Sequence, residues 1–444
     1  MIGNANTRFE VLYSEPLSVF VFVSKIASPQ GVNTFKTLYQ SGVSPSDTAK
    51  KYLQEFENLW LDYSYMYEEY PYGSKINGMT IGLLKKNLIA SKDLNEFKQR
   101  SVGVIPNATL FKLCEILSYF EPMYQELVYK KYGKDFEQQL LDLQSKMADV
   151  RVEHCFTSAS VFYRSKWDTT IPFQICVYPL PESQGFSAEA FYNQAICAIP
   201  AKINYEVLIS VMLHEIFHIL YDEQSLEIKS QLAANFNAHP SPCSQYAYLL
   251  WNEVLATALG NGYAYKELSG KLDAGEWYDW KYINIMAKQM YPLLEEYLRK
   301  NKGLDKEFID AYVDLYTKNF SSWLKESQHL MSYRSVLTDK ENDLIVLSMH
   351  YQNCSIFESR VGINESSIEQ LANKPLTKVV IISKQHAKIF ASLQRTFPEL
   401  TGLRWDVSQD FVKRFFLKDK TQLFVINQHS KSIEQLLEVL DGLK

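Results

Sequence analysis

The apolar run from Val207 to Leu220 contains an H-E-x-x-H motif at residues 214–218 and constrains the fold more than any other stretch of the chain. If the run is one helix, His214 and His218 lie four residues apart and project from the same face. Two imidazoles in this arrangement can bind one metal ion. Glu215 lies at the edge of that face, where its carboxylate can reach a metal-bound water rather than the metal itself. The spacing therefore predicts a helix with two metal ligands and a general base.

The alternative is a buried helix with two incidental histidines. The chain has only 8 histidines, and the glutamate between two of them would then be an unpaired charge inside an apolar helix, which is costly. The metal-binding interpretation is therefore favoured.

Composition and charge exclude several other classes of protein. A chain of 444 residues is long enough for two or three domains, and 46% hydrophobic with 22% charged residues is typical of a globular protein. The net charge of -5 comes from 46 basic and 51 acidic residues, with no basic cluster. Nucleic acid is therefore not expected as a partner.

The six cysteines include no C-x-x-C pair, so neither a cysteine zinc site nor a disulfide framework is expected, although a single Cys176–Cys197 bridge stays open. The longest apolar stretch near the N-terminus, Leu17–Val23, is too short to cross a bilayer and follows acidic residues. These features favour a cytoplasmic protein without a membrane span. A secreted protein whose leader has been removed stays open as the alternative.

Three regions follow one another along the chain. Residues 1–150 are predicted to be mainly helical, with apolar runs at 9–13 and 18–23 that form either one or two strands or a buried apolar segment. Residues 151–338 are predicted to form the catalytic domain. In residues 339–444, apolar runs at 343–349, 378–383 and 422–427 alternate with helical patterns at 366–373, 385–397, 408–417 and 432–443. This alternation predicts a small α/β domain.

The C-terminal domain has no glycine-rich phosphate loop, so nucleotide binding is not supported. Its expected role is regulatory, or the binding of a protein partner. Ser366 with Glu369, and Ser432 with Gln435, are predicted capping boxes at two of its helices.

In the middle region, strands are predicted at 173–178 and 195–199, the second leading almost directly into the H-E-x-x-H helix. An exposed edge on that strand could bind an extended peptide by strand addition. A further helix, predicted at 245–259, carries Glu253 among apolar residues on nearly every side. This favours a ligating or paired carboxylate over a solvated one, and a catalytic zinc site requires such a third protein ligand.

The H-E-x-x-H motif together with N-E-x-x-A at residues 252–256 resembles the gluzincin metallopeptidases, the group of thermolysin-like and aminopeptidase-like zinc enzymes. The resemblance covers roughly residues 170–265. It implies an α+β, mainly helical fold with a gluzincin-like catalytic core. It also implies that His214, His218 and Glu253 bind Zn²⁺ and that Glu215 is the general base.

The chain departs from the simplest members of that family because 34 residues separate His218 from Glu253. The extra length implies an inserted loop through 235–244, and His239 in this loop is the alternative third ligand. A metzincin is excluded, because that motif requires glycine and histidine where this chain has Tyr221 and Gln224.

Gluzincins usually supply a tyrosine or histidine from a downstream region to stabilise the oxyanion. The segment His329–Arg334 is the candidate here, with Tyr333 as its catalytic residue, and a purely structural role is the alternative. The expected function is a zinc metallopeptidase that acts on a peptide or protein substrate. The G-x-M-E-N strand of the aminopeptidases is absent from residues 193–198, which favours an endopeptidase or an enzyme with a specialised substrate. Two alternatives are a zinc hydrolase for non-peptide amides and a catalytically weak or inactive gluzincin-like scaffold.

Overall fold

The computed structural model describes residues 8–28, 33–42, 46–181 and 187–443. The chain is an α+β protein with 58% helix and 14% strand, which confirms the predicted mainly helical α+β class.

The N-terminal part consists of helices that pack on a small sheet. Its helices are α1 (Glu15–Ala27), α2 (Thr34–Gly42), α3 (Asp47–Glu57), α4 (Thr80–Ile89), α5 (Leu94–Arg100), α6 (Asn107–Tyr124), α7 (Lys130–Met147) and α8 (Val150–Tyr163), with π-helical turns at Gln125–Tyr129 between α6 and α7. The run at 18–23 lies inside α1 and is therefore not a strand. Ser14 caps this helix by accepting the Leu17 N–H, and Pro16 lies in its first turn.

A four-stranded sheet separates helices α1–α6 from the middle of the chain, whereas α7 and α8 pack in the main core on the other face of the sheet. Its strands are β1 (Phe9–Tyr13), β4 (Phe173–Leu180), β5 (Ala188–Phe191) and β6 (Gln194–Pro200), in the order β1-β4-β6-β5, while β2 (Ser64–Tyr65) and β3 (Gly78–Met79) form a separate short ladder. The predicted strand before the metal helix is β6. It pairs with β4 on one side and β5 on the other. The prediction of an exposed edge on that strand is wrong, because β5 is the outer strand.

The bridge between Cys176 and Cys197 does not form, and all six cysteines are free thiols. Cys176 pairs in register with Ile196, and Cys197 pairs with Val177. Because successive residues of a strand point to opposite faces, the two thiols lie on opposite sides of the sheet.

The middle of the chain is a helical layer below this sheet. It contains α9 (Tyr205–Asp222), α10 (Leu226–Ala238), α11 (Ser244–Thr257), α12 (Tyr265–Ser269), α13 (Lys281–Arg299), α14 (Lys306–Phe320) and α15 (Ser327–Met331), with π-helical turns at Ala258–Ala264 and a 3-10 turn at Ser321–Lys325. Of the insertion predicted as a loop through 235–244, residues 235–238 form the end of helix α10, and a loop follows before α11 begins at Ser244. Leu232 and Phe236 of α10, four apart, are buried in the main core and hold the helix in place.

The C-terminal part is a five-stranded sheet in the order β10-β11-β9-β7-β8. It contains β7 (Tyr333–Thr338), β8 (Ile356–Val361), β9 (Thr377–Ile382), β10 (Phe411–Phe416) and β11 (Gln422–Asn427), together with α16 (Glu341–His350), α17 (Glu365–Ala372), α18 (His386–Thr396), α19 (Ile433–Asp441) and a 3-10 turn at Pro398–Leu400. Only β10 is antiparallel to its neighbour. Val379 and Ile381 on one face of β9 join the main core, whereas Val380 and Ile382 on the other face belong to a separate core.

Two of the elements predicted here are wrong in type. The run 343–349 is part of helix α16, in which Asp343 and Leu347, four residues apart, are the buried positions. The run 408–417 contains strand β10 instead of a helix, because a tight turn with Lys420 at φ 63° folds it back onto β11.

The capping boxes also differ in part from the prediction. The box at Ser432 and Gln435 is confirmed, whereas α17 begins with a box formed by Asn364 and Ser367 instead of Ser366 and Glu369. Among the described residues, no helix combines the length and the apolar character needed to cross a membrane.

Candidate metal centre

Helix α9 carries the H-E-x-x-H motif because its sequence favours a buried helix from the first residue to the last. Asn204 caps its N-terminus by accepting the Val207 N–H at 3.2 Å, and apolar side chains on nearly every face are buried. The π-helical turns after α11 pack closely against it at Gly260. A Cβ on this residue would lie 2.6 Å from the His214 Cβ and 2.8 Å from the Ser210 carbonyl oxygen. Only glycine fits at this contact, which the motif itself does not reveal.

The structure brings together the three side chains that the sequence proposes as ligands. The Nε2 atoms of His214 and His218 are 3.0 Å apart, and Glu253 Oε2 from α11 lies 3.6 Å and 3.4 Å from them. All three ligand atoms lie within 4.8 Å of one another. Among the described residues, this is the one group of three or more metal-ligating side chains in such an arrangement.

The hydrogen bonding around this group fits a cation. Asn252 Oδ1 lies 3.1 Å from His218 Nδ1, which holds the proton on Nδ1 and directs the Nε2 lone pair towards His214 and Glu253. Glu253 Oε2 and His214 Nδ1 are buried without a hydrogen-bond partner. Two imidazole nitrogens and one carboxylate oxygen form a donor set typical of catalytic zinc sites. His214, His218 and Glu253 could therefore hold a zinc ion.

The electrostatics of the centre separate the two glutamates. Burial would raise the pKa of Glu253, but the two imidazoles outweigh it and hold this pKa well below its usual range. Burial would likewise lower the pKa of His218, yet the Glu253 carboxylate raises it to about 9. Burial raises the pKa of Glu215 although both histidines act in the opposite direction. Glu253 thus stays a carboxylate, and Glu215 is shifted towards the range in which a group can take up and release a proton.

The centre lies at one side of a cleft of about 1200 Å³. Glu215 and Asn252 line this cleft with the three candidate ligands. Its other walls come from distant parts of the chain: the segment 66–79, strand β5, residues 276–279, the start of β7, and residues 355–358 at the start of β8.

Tyr333 lines the same cleft. Its hydroxyl is buried, and burial, followed by the charge of Glu253, raises the pKa of the phenol, while a hydrogen bond with the Ser355 side chain acts in the opposite direction. The structure thus places the sequence-predicted Tyr333 in the same cleft as the candidate ligands. Tyr278, which the sequence did not single out, also lines the cleft, and its ring stacks on His214 with the centroids 6.0 Å apart.

The other members of the candidate segment lie elsewhere. His329 is enclosed by aromatic rings, and its Nε2 is 2.7 Å from the Tyr316 hydroxyl. Arg334 is buried, donates to the Met331 carbonyl oxygen at 2.6 Å, and is covered by the ring of Phe357. Neither side chain lines the cleft.

His239, the alternative third ligand, lies away from the centre. Its Nε2 is 3.5 Å from Asp314 Oδ1, and its Nδ1 accepts the Ser241 N–H at 3.2 Å. His239 directly follows the end of α10. The residue that lies beside the two histidines is Glu253.

Comparisons with protein-family models, with curated proteins and with solved structures find no match to this chain. The geometry of the cleft and its side chains is therefore the basis of the functional argument.

Proposed function

We propose that this protein is a zinc-dependent peptidase with a gluzincin-like catalytic centre, and that its substrates are peptides or extended segments of proteins. The observation that carries the proposal is the convergence of His214, His218 and Glu253 beside Glu215 in one large cleft. The cleft volume of about 1200 Å³ exceeds the roughly 300–1,000 Å³ of sites for small ligands, which favours a longer substrate.

His214, His218 and Glu253 would hold the ion, and Asn252 would orient His218 towards it. When bound, zinc supplies Lewis-acid chemistry, because it polarises a carbonyl oxygen and acidifies a coordinated water. Three protein ligands are the number found in catalytic zinc sites, whereas structural sites usually have four.

Glu215 would act as the general base and then as the general acid. Its carboxylate takes the proton of the attacking water and delivers it to the nitrogen of the leaving amine. Burial raises the pKa of Glu215, which makes its carboxylate a stronger base for the proton of the water than an exposed glutamate.

Tyr333 would stabilise the negative charge that develops on the carbonyl oxygen. Tyr333 lines the cleft with the candidate ligands, and a phenol in a desolvated site donates a strong hydrogen bond to a developing oxyanion. The raised pKa keeps this phenol protonated, which the donor role requires.

The test is the Glu215→Gln variant, assayed on an internally quenched decapeptide library with zinc content measured on the same samples. Gln keeps the shape of the side chain but accepts no proton, so we expect unchanged zinc content and turnover reduced by about 10²- to 10⁴-fold. Glu206→Gln, in the first turn of the same helix, is the matched control and should keep full activity.

Full activity of Glu215→Gln would overturn the mechanism. If the zinc-loaded wild-type protein hydrolyses no peptide of the library, the peptidase proposal fails and the inactive scaffold becomes the better description.

A further inference from the structure

Strand β8 brings a second sheet edge to the cleft, in addition to β5. Residues 355–358 line the same cleft as His214 and Glu215, although they belong to the C-terminal sheet. In the part of the chain that the structure describes, β8 pairs with β7 alone, so its other side is an open edge.

The hydrogen bonds to β7 show which backbone groups of β8 face that open edge. Ile356 N donates to Ser332 O at 3.1 Å, and Gly362 N donates to Thr338 O at 2.8 Å. Backbone groups of a strand alternate in direction, so even-numbered residues between these two also face β7. The N–H and C=O groups of Phe357, Ser359 and Val361 therefore point outward.

Side chains on both faces hold this edge in position. Ile356 and Glu358 lie on one face of the sheet, the face of Tyr333, which is the register partner of Ile356. On this face Glu358 accepts a hydrogen bond from Tyr72 and forms an ion pair with Lys374 at 3.1 Å. On the opposite face, the Phe357 ring lies 4.9 Å from the buried Arg334 guanidinium. The start of β8 is thus fixed before any ligand binds, which reduces the entropy lost on binding.

Two apolar side chains of the strand are exposed. Phe357 is 43% exposed and Val361 is 48% exposed. The charged residues Glu358 and Arg360 lie further along the strand, whereas Phe357 lies at its start, where an open edge can pair with another extended chain. An edge that stays open beside a candidate catalytic centre is suited to a ligand that adds a strand.

We propose that the open edge of β8 at Phe357 binds an extended segment of the substrate by strand addition. The main-chain N–H and C=O of Phe357 would pair with the substrate backbone, and the exposed ring would contact an apolar substrate side chain. This inference rests on the proposed peptidase function. It assigns the start of β8 to the substrate site and defines the substrate class as extended segments, because a helical segment has no free backbone groups to pair with an edge.

The first experiment compares Phe357→Pro with Ser359→Pro. Proline removes an outward N–H at either position and is tolerated on the open side of an edge strand. Ser359 has the same orientation but does not line the cleft. For the best-cleaved peptide of the decapeptide library, we expect Phe357→Pro to raise KM by up to about tenfold with kcat within about twofold, since one or two hydrogen bonds are lost. Ser359→Pro should leave both constants unchanged.

The second experiment does not depend on how proline affects the strand. A photo-crosslinking amino acid is placed at position 357 or 359 in the Glu215→Gln background, and the same peptide is added. We expect a crosslink from position 357 and none from 359.

The outcomes separate the inference from the function on which it rests. If the wild-type protein cleaves the peptide but Phe357→Pro keeps its KM and position 357 gives no crosslink, strand addition at β8 is wrong while the peptidase proposal stands. If the zinc-loaded wild-type protein cleaves nothing, both are overturned.

Discussion

His218 and His329 are both buried, yet their surroundings move their pKa values in opposite directions. Burial lowers the pKa of His329 to about 3, because the residues around it are mainly aromatic rings and the nearest charge that acts on it is Lys281. At His218 the same desolvation is outweighed by the Glu253 carboxylate, and the pKa rises to about 9. Burial alone makes a histidine neutral, whereas a facing carboxylate in the same medium creates a place for a cation.

The two histidines also differ in access. His218 lines the cleft, and His329 is sealed behind Tyr282 and Trp323 with its Nε2 bound to the Tyr316 hydroxyl. A buried histidine therefore indicates function only when a carboxylate and an open cleft accompany it. The first two predictions below each compare a residue of the candidate centre with a buried residue elsewhere.

The largest effect is expected from His218→Ala compared with His329→Ala. His218→Ala removes one of three ligands, so zinc content should fall from about one ion per chain to nearly none after dialysis, with loss of peptide hydrolysis. His329→Ala should keep its zinc and lose about 2–4 kcal/mol of unfolding free energy, because it leaves a cavity in an aromatic cluster. Equal zinc content in the two variants would contradict the ligand assignment.

Tyr333→Phe and Tyr316→Phe form the second pair, because both remove one hydroxyl from a fully buried ring. Tyr333→Phe should lower kcat by about 10²- to 10³-fold with little change in KM or zinc content, as for other lost oxyanion donors. Tyr316→Phe leaves His329 Nε2 without its partner and should reduce unfolding free energy by about 1–3 kcal/mol while kcat is unchanged. Steady-state kinetics measures the loss of kcat, and urea unfolding measures the loss of stability. An unchanged kcat in Tyr333→Phe would contradict the proposed oxyanion role of Tyr333.

The sequence predicts those parts of this centre whose residues are close together along the chain. His214, Glu215 and His218 share one helical face, and that geometry depends only on the helix period. Glu253 could be proposed because its apolar helix leaves a carboxylate in need of a partner. Gly260, Tyr278 and residues 355–358 reach the cleft through tertiary contacts, and no local pattern marks them.

The errors in the fold have the same origin. Apolar runs such as 343–349 fit either a helix or a strand, and the choice depends on which side chains find a core. In α16 the buried positions Asp343 and Leu347 have helical spacing. The predicted exposed edge on β6 is wrong for the same reason, because nothing in the sequence shows that β5 turns back to pair with β6.

Asn252→Ala provides the third test. Asn252 fixes the orientation of His218 without being a proposed ligand, and loss of such a partner typically weakens zinc binding by about 10- to 100-fold. Asn261→Ala is the matched control, because Asn261 also lines the cleft but is not the hydrogen-bond partner of His218. Competition with a zinc-binding dye measures both affinities. Equal affinities in the two variants would show that the Asn252 contact does not orient a ligand.

Lys229 is a third buried titratable group, after His218 and His329. Here too, burial and nearby carboxylates act on the pKa in opposite directions. Its ammonium donates to the Ser74 carbonyl oxygen and lies 4.3 Å from the Tyr221 ring. The carboxylates of Asp222 and Glu223 raise its pKa, but both are already paired with Lys75 at 2.9 Å and 2.7 Å. Desolvation therefore dominates and lowers the pKa of Lys229 to about 7.

The sign of the resulting pH dependence is opposite to that of a paired lysine. Between pH 7 and the unfolded-state pKa of 10.5, the unfolded chain binds a proton at Lys229 that the folded protein has released, so stability rises with pH. From pH 7 to 9 the unfolding free energy of the wild type should increase by about 2 kcal/mol relative to Lys229→Met, measured by urea unfolding at each pH. Tyrosines and thiols also titrate towards the upper end of this pH range. They contribute equally to the unfolding free energies of both proteins, so the difference between the two reports Lys229. A difference that stays constant across this range would mean that Asp222 and Glu223 compensate for burial at Lys229 as Glu253 does at His218.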